Sequence, residues 1–201
     1  FQLKGRPKTN PLIIHYYNIN DAMDDVFINK NFLKLYKKFC PGPITFILKK
    51  KINSKIHPLS SAKLPTIAVR FPKHKIIRSV LKKLNFPLAM PSANKSTKVS
   101  PVSAKDVFDE FNKKIPLIID GGISKVGIES TVIDLTSYPK ILRPGRIHQN
   151  LIARPELKPE IRQQCSIELA RDYLKSGFLD RAELIFTRLS YEIENPVQVL
   201  H

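Results

Sequence analysis

Pro87-Leu88-Ala89-Met90-Pro91-Ser92-Ala93-Asn94-Lys95-Ser96 decides the reading of this chain. An apolar run ends at Pro91 and small polar residues follow at once. That order describes a buried strand handing a hydroxyl and a carboxamide to its C-terminal edge, where open α/β sheets bind ligands. Ser92 and Asn94 are two apart, so an extended backbone turns both to one side. Neither is charged. The pair suits ribose, phosphate or an amino acid better than a metal ion.

Outward from this stretch, short β-branched or apolar runs bounded by Pro, Gly or Asp predict strands. They cover Ile44–Leu48, Thr66–Arg70, Leu88–Met90, Leu117–Asp120, Thr131–Asp134 and Lys140–Leu142, with another apolar strand over Leu12–Ile14. Helical spacing predicts helices over Asn31–Lys38, Lys75–Leu84 and Ser103–Asn112. Ser103 is the expected N-cap of the last, with Asp106 three residues on. Strands alternating with helices make this part α/β.

Composition limits the classes of function. The 201 residues carry a formal charge of +17, which implies polyanionic company such as nucleotide, RNA or an anionic surface. Scattered lysines on a solvated surface are the plainer alternative. Cys40 and Cys165 are far apart and lack metal-ligand spacing, which suits a reduced, cytoplasmic protein. No apolar run approaches the roughly 18 residues that span a bilayer, so no membrane partner is expected.

The charge is divided unevenly. Residues 1–148 hold 27 Lys+Arg against 9 Asp+Glu, whereas residues 149–201 hold 7 against 8. The first part has 22 Lys and 5 Arg, and the second has 2 Lys and 5 Arg. Two domains are therefore expected, 1–147 and 148–201, with a chimeric origin for the second. Its apolar residues predict two helices, Pro159–Ser176 and Leu179–Ser190, separated at Gly177. Ala170, Tyr173, Gly177, Ala182 and Phe186 resemble one tetratricopeptide repeat of the kind found in LapB-type lipopolysaccharide assembly proteins.

Further motifs extend the opening stretch. They are Lys4-Gly5-Arg6-Pro7, Asn10-Pro11-Leu12, Cys40-Pro41-Gly42-Pro43-Ile44-Thr45 and Ile67-Ala68-Val69-Arg70-Phe71-Pro72-Lys73-His74. Ile119-Asp120-Gly121-Gly122, Gly127-Ile128-Glu129-Ser130-Thr131-Val132-Ile133-Asp134 and Leu142-Arg143-Pro144-Gly145 follow. In this order and at these spacings, residues 1 to about 147 resemble the YrdC/Sua5 family of threonylcarbamoyl-AMP synthases. The resemblance implies a twisted mixed sheet with flanking helices and a concave basic face, here followed by a C-terminal helical hairpin. It also implies a nucleotidyltransferase that joins L-threonine, bicarbonate and ATP into threonylcarbamoyl-AMP and pyrophosphate. The product would serve the transferase machinery that makes the t6A modification of tRNA. Mg²⁺ would arrive with the triphosphate, and no dedicated metal ligands are expected.

Individual residues carry a functional and a plainer reading side by side. Lys4 and Arg6 alternate, so an extended backbone would face both toward phosphate oxygens; an ordinary basic turn is the alternative. The family's Lys-x-Arg and Ser-x-Asn tetrad matches at Lys4, Arg6, Ser92 and Asn94, which makes these four the expected catalytic set. Arg70 ends an apolar strand, where a guanidinium needs a partner. The resemblance makes it a threonine-carboxylate or nucleotide ligand. His15 follows the first strand and is expected near the adenosine side, with Pro91 at the same edge. His74 is the weaker histidine of the two. Ser130 and Thr131 offer hydroxyls to phosphate or carbamate oxygens, and Arg143 offers a clamp for ribose or phosphate. Glu129 beside phosphates would need a cation. Cys40 has no motif partner and reads as a core thiol.

Two departures from the family pattern stand out. A first strand and a Pro-Thr-x-Thr-x-Tyr-Gly-Leu-like motif that contributes to the threonine pocket usually precede Lys-x-Arg. This sequence starts inside the pattern and reads as a fragment. Thr97 stands where glycine usually follows Ser96, which alters the expected loop geometry.

Competing functions follow from the same features. The main alternative is a non-catalytic double-stranded RNA or tRNA-binding module using the basic face. Sparse aromatics among the basic residues and the lack of an RNA-recognition signature weigh against it. A carbamoyl-transfer domain like those of hydrogenase maturation factors, and a scaffold using the helical tail, are the other two.

Overall fold

A computed structural model gives the fold. It describes residues 1–112, 114–124, 129–145 and 147, then 163, 166, 167, 170, 171, 173, 174 and 179–194. Six strands form one sheet: β1 (Ile13–His15), β2 (Ile44–Lys49), β3 (Thr66–Arg70), β4 (Leu88–Ala89), β5 (Thr131–Asp134) and β6 (Lys140–Arg143). The spatial order is β4-β1-β3-β2-β5-β6. β1 runs parallel to β3, and β2 parallel to β5. The pairs β1–β4, β2–β3 and β5–β6 are antiparallel. The sheet is therefore mixed, as expected.

Helices flank it: α1 (Ile19–Met23), α2 (Lys30–Phe39), α3 (Lys75–Lys83) and α4 (Ala104–Phe111), with α5 (Leu179–Glu194) in the C-terminal part. A short 3₁₀ turn covers Gln2–Lys4. The helix starts are written in the sequence. Asn29 accepts the Phe32 N–H at its N-cap, and Ser103 with Asp106 closes a full capping box. Asn18 and Asp21 close another at α1, an element that the hydrophobic pattern missed because it is only five residues long.

The core lies between α2 and the central strands. Phe32 packs edge-on to Phe46 at a 4.9 Å ring separation, and Tyr36 meets Phe71 edge-on at 4.8 Å. Leu48, Val69, Val26 and Leu135 complete this cluster. Ile147 joins it, so the chain remains packed on the sheet just past β6.

One expected strand is not formed. Leu117–Asp120 pairs with no strand among the described residues, and Leu117 is 71% exposed. Propensity favours an extended backbone there, but pairing depends on what lies beside it. Asp120 instead accepts the Gly122 N–H at 2.8 Å and closes a local turn.

The expected helix Pro159–Ser176 lies mostly outside the described residues; those described within it are helical. The expected Leu179–Ser190 helix falls within α5, where Ala182 and Leu189 are buried. Among the described residues no helix is long and apolar enough to cross a membrane.

Candidate active site

The C-terminal ends of parallel strands β1 and β3 meet at one edge of the sheet, in the register His15 to Arg70. A cavity of about 410 Å³ opens there. Arg6, His15, Arg70, Pro91, Ser92, Ser130 and Arg143 all line it, as do Glu129 and His74. Three guanidiniums and one carboxylate in one concavity give a basic site that favours anions.

Arg70 supplies the deepest charge. Its Nε is buried with no hydrogen-bond partner. Burial, then the nearby Arg143, lowers its pKa, while Glu129 opposes the shift. The guanidinium stays protonated, because arginine does not titrate in the working range. The guanidinium itself lines the cavity, where a charged planar donor suits an oxyanion.

His15 is buried beside it. Its pKa falls to about 4, through burial first and then the charge of Arg70. It is therefore neutral at physiological pH. Its Nδ1 lies 3.0 Å from the Ile13 carbonyl, which favours the proton on Nδ1 in the neutral ring, and the backbone of Leu88 also opposes the downward shift.

Arg143 and Ser130 form the opposite wall. Arg143 donates to the Ser130 carbonyl through Nε (3.1 Å) and Nη2 (2.9 Å), and to Ser130 Oγ through Nη2 (3.1 Å). Its Nη1 pairs with Glu129. Ser130 Oγ also meets Thr45 Oγ1 at 2.8 Å. Thr45 gave no functional signal in sequence, yet through Ser130 it reaches the cavity wall. Thr131 is buried next door, and its Oγ1 has no partner.

The tetrad is arranged differently from its expected extended form. Lys4 ends a 3₁₀ turn and Gly5 is left-handed (φ 61°), so alternation does not apply to Lys4 and Arg6. Lys4 Nζ donates to the backbone carbonyls of Ser92 and Asn94. Arg6 is fixed by Asn10 Oδ1 and the Pro11 carbonyl, each at 2.7 Å, and reaches the cavity. Ser92 and Asn94 also part company, because Ala93 and Asn94 lie in a bend. Ser92 lines the cavity. Asn94 is buried, and its carboxamide donates to the carbonyls of Lys95 (2.9 Å) and Lys98 (2.6 Å).

Further cavity residues were not singled out from sequence. Ser100, Pro101, Val102 and Ser124 close one side, and Ile77 and Met90 give it apolar floor. The Ser100-Pro101 pair just before the capped helix α4 was the available signal. Cys40 stays outside the cavity lining, and burial pushes its thiol up to about 12, as suits a core cysteine.

Comparison with known proteins agrees with this geometry. A family model for Sua5, YciO and YrdC proteins, described as "Telomere recombination", matches residues 1–145. The threonylcarbamoyl-AMP synthase of Schizosaccharomyces pombe is 39% identical over 170 residues, covering 73% of this chain and 42% of that protein. The threonylcarbamoyl-AMP synthase of Pyrococcus abyssi is 45% identical over 150 residues, covering 72% of this chain and 43% of that protein. The chain thus spans about two-fifths of the length of these relatives. The crystal structure of P. abyssi Sua5 complexed with L-threonine superposes with a TM-score of 0.69 at 44% identity, over 72% of this chain and 43% of that one. With the family model matching residues 1–145 and relatives 39–45% identical over more than two thirds of the chain, the chain belongs to the Sua5/YciO/YrdC family.

Proposed function

We propose that this chain carries the substrate-binding domain of a threonylcarbamoyl-AMP synthase. The reaction joins L-threonine, bicarbonate and ATP and releases pyrophosphate, for the t6A modification of tRNA. The observation that carries this reading is the meeting of Arg6, Arg70 and Arg143 with Ser92, Ser130 and neutral His15 on one cavity. The names of the relatives and the threonine bound to P. abyssi Sua5 support it.

The chemistry sets what each residue does. The threonine amine attacks the bicarbonate carbon, so an N–C bond forms while a C–O bond breaks and the oxygen leaves as water. A carbamate oxygen then attacks the α-phosphorus, that bond forms, and the bond to pyrophosphate breaks. Little covalent work falls to the protein, so holding the reactants and stabilising charge are its main contributions. Arg70 takes the amino-acid carboxylate on its guanidinium. Arg6 and Arg143 face the phosphates. Ser92 and Ser130 hydroxyls donate to carbamate or phosphate oxygens. His15 stays neutral and adds no charge beside Arg70.

Mg²⁺ would enter on the triphosphate, where it neutralises phosphate charge. Among the described residues Glu129 is the only carboxylate on the cavity wall, and it is paired with Arg143. Among the described residues no three His, Cys, Asp or Glu gather into a cage. That donor set suits an ion held mainly by the nucleotide.

Work on tRNA modification places the protein in the cytoplasm on this reading. This reading treats residues 148–201 as an appendage whose sequence resembles a tetratricopeptide repeat, of which α5 is the described helix.

Pyrophosphate release from ATP, with and without L-threonine and bicarbonate, tests the proposal. Release that needs both substrates and falls at least tenfold in Arg70→Ala supports it. ATP turnover indifferent to threonine overturns it, as does salt-steep RNA binding without any turnover.

A further inference from the structure

Lys4 is 88 positions from Ser92, yet its ammonium lies against the loop that follows β4. That loop has neither helix nor strand from Ser92 to Ser100. Something else must hold its shape. The Lys4 ammonium donates to the Ser92 and Asn94 carbonyls, on either side of Ala93. The Lys4 carbonyl accepts the Ser96 N–H at 2.7 Å. Lys4 therefore grips the loop with both its side chain and its backbone.

Further contacts lie beside this grip. Asn94 donates to Lys95 and Lys98 carbonyls, and Lys95 N–H donates to Glu110 Oε1 at 3.1 Å. The bend thus turns the Ser92 and Asn94 carbonyls toward one spot. Two carbonyl dipoles aimed together in a part-buried place repel unless a cation sits between them. A primary ammonium, a compact charge with three donors, suits that spot. Two of its three hydrogens are already used. Ser92 and Arg6 line the cavity, and Lys4 does not.

We infer that Lys4 is a positioning residue, a charged clamp that sets the Ser92–Ser96 loop and so holds the Ser92 hydroxyl in the cavity. It acts through Ser92 and not as a phosphate ligand. The inference rests on the synthase reading only in using ATP as one probe.

Two measurements test it. The first needs no ligand. Amide hydrogen exchange in the unliganded protein is followed for residues 93–98 in wild type and Lys4→Met. The clamp predicts exchange about tenfold faster there, with β2 and β3 unchanged. Unchanged exchange in the loop overturns the inference.

The second is a double-mutant cycle on ATP affinity with Lys4→Met and Ser92→Ala. If Lys4 acts through Ser92, Lys4→Met weakens ATP about tenfold in wild type and less than twofold in Ser92→Ala. Equal losses in both backgrounds mean a direct phosphate contact and overturn the inference. If wild type does not bind ATP, the synthase reading fails while the exchange result still decides the clamp. Should Lys4→Met not fold, Lys4→Gln carries both measurements, because its amide can feed a carbonyl without the charge.

Discussion

The guanidinium of Arg143 holds the carbonyl of Ser130 with two donors, Nε at 3.1 Å and Nη2 at 2.9 Å. Arg143 closes β6, and Ser130 precedes β5, the strand paired with it. The same guanidinium touches Ser130 Oγ and pairs with Glu129. One side chain therefore fixes a hydroxyl, a peptide and a carboxylate on a single wall. Lysine could keep the charge but not this fork. Arg143→Lys is expected to lower threonine-dependent pyrophosphate release about 100-fold, nearly as far as Arg143→Ala. A lysine variant that keeps most of the activity would show that only the charge matters.

Gly145 lies against the same wall from behind. A Cβ there would come within 2.5 Å of Glu129 O and Thr131 N, and 2.8 Å of the Ser130 carbonyl carbon. These are backbone atoms and cannot swing aside. Gly145→Ala is expected to destabilise by about 3 kcal/mol. Gly5 is the contrast: its φ is 61°, but the space around it is open. Gly5→Ala should cost about 1 kcal/mol, from backbone conformation alone. Urea unfolding of the two variants separates packing from φ, and equal losses would refute the distinction.

Much of this fold could be read from the sequence because it rests on local signals. Thr66–Arg70 and Thr131–Asp134 are strands with the bounds expected for them. The Ser103–Asp106 capping box sits where the spacing puts it. What local signals miss is the partner. Leu117–Asp120 has strand composition, yet no described strand lies beside it. At the site, residue choice was legible and side-chain direction was not. Alternation requires an extended backbone, and the 3₁₀ turn at Gln2–Lys4 and the bend at Ala93–Asn94 break it. Lys4 and Asn94 therefore hold backbone carbonyls, while Arg6 and Ser92 reach the cavity. The bond from Thr45 to Ser130 joins residues 85 apart, and no local pattern announces it.

Away from the cavity, Asp25 is buried with every oxygen engaged. Tyr16 OH donates to Oδ2 at 2.8 Å; Ser54 Oγ (2.7 Å) and Lys55 N (3.0 Å) donate to Oδ1. Burial, then the bond to Asp25, raises the Tyr16 pKa, so the phenol remains a donor. Tyr16→Phe strips Oδ2 of its partner and should destabilise by about 2 kcal/mol. Ser54→Ala leaves Oδ1 with Lys55 N–H and should lose less. Chemical denaturation of both variants checks the order, and a larger loss at Ser54 would mean that the loop, not the phenol, secures Asp25.

His15 gives the chain a pH dependence whose sign can be worked out. Burial and Arg70 lower its folded pKa to about 4, below the ordinary value of 6.5. Between these two values the unfolded chain takes up a proton that the native one does not. Stability therefore declines as pH falls from about 6.5 to about 4, and this contribution levels off on either side. The whole window is worth about 3 kcal/mol. Carboxylates titrate near its lower end in every variant, so the difference between proteins is the informative quantity. Urea midpoints of wild type and His15→Gln should converge as pH falls from 7 to 4.5, because glutamine has no proton to gain. Parallel pH profiles would mean that His15 accepts a proton in the folded protein as readily as in the unfolded one, and would remove the neutral imidazole from the site.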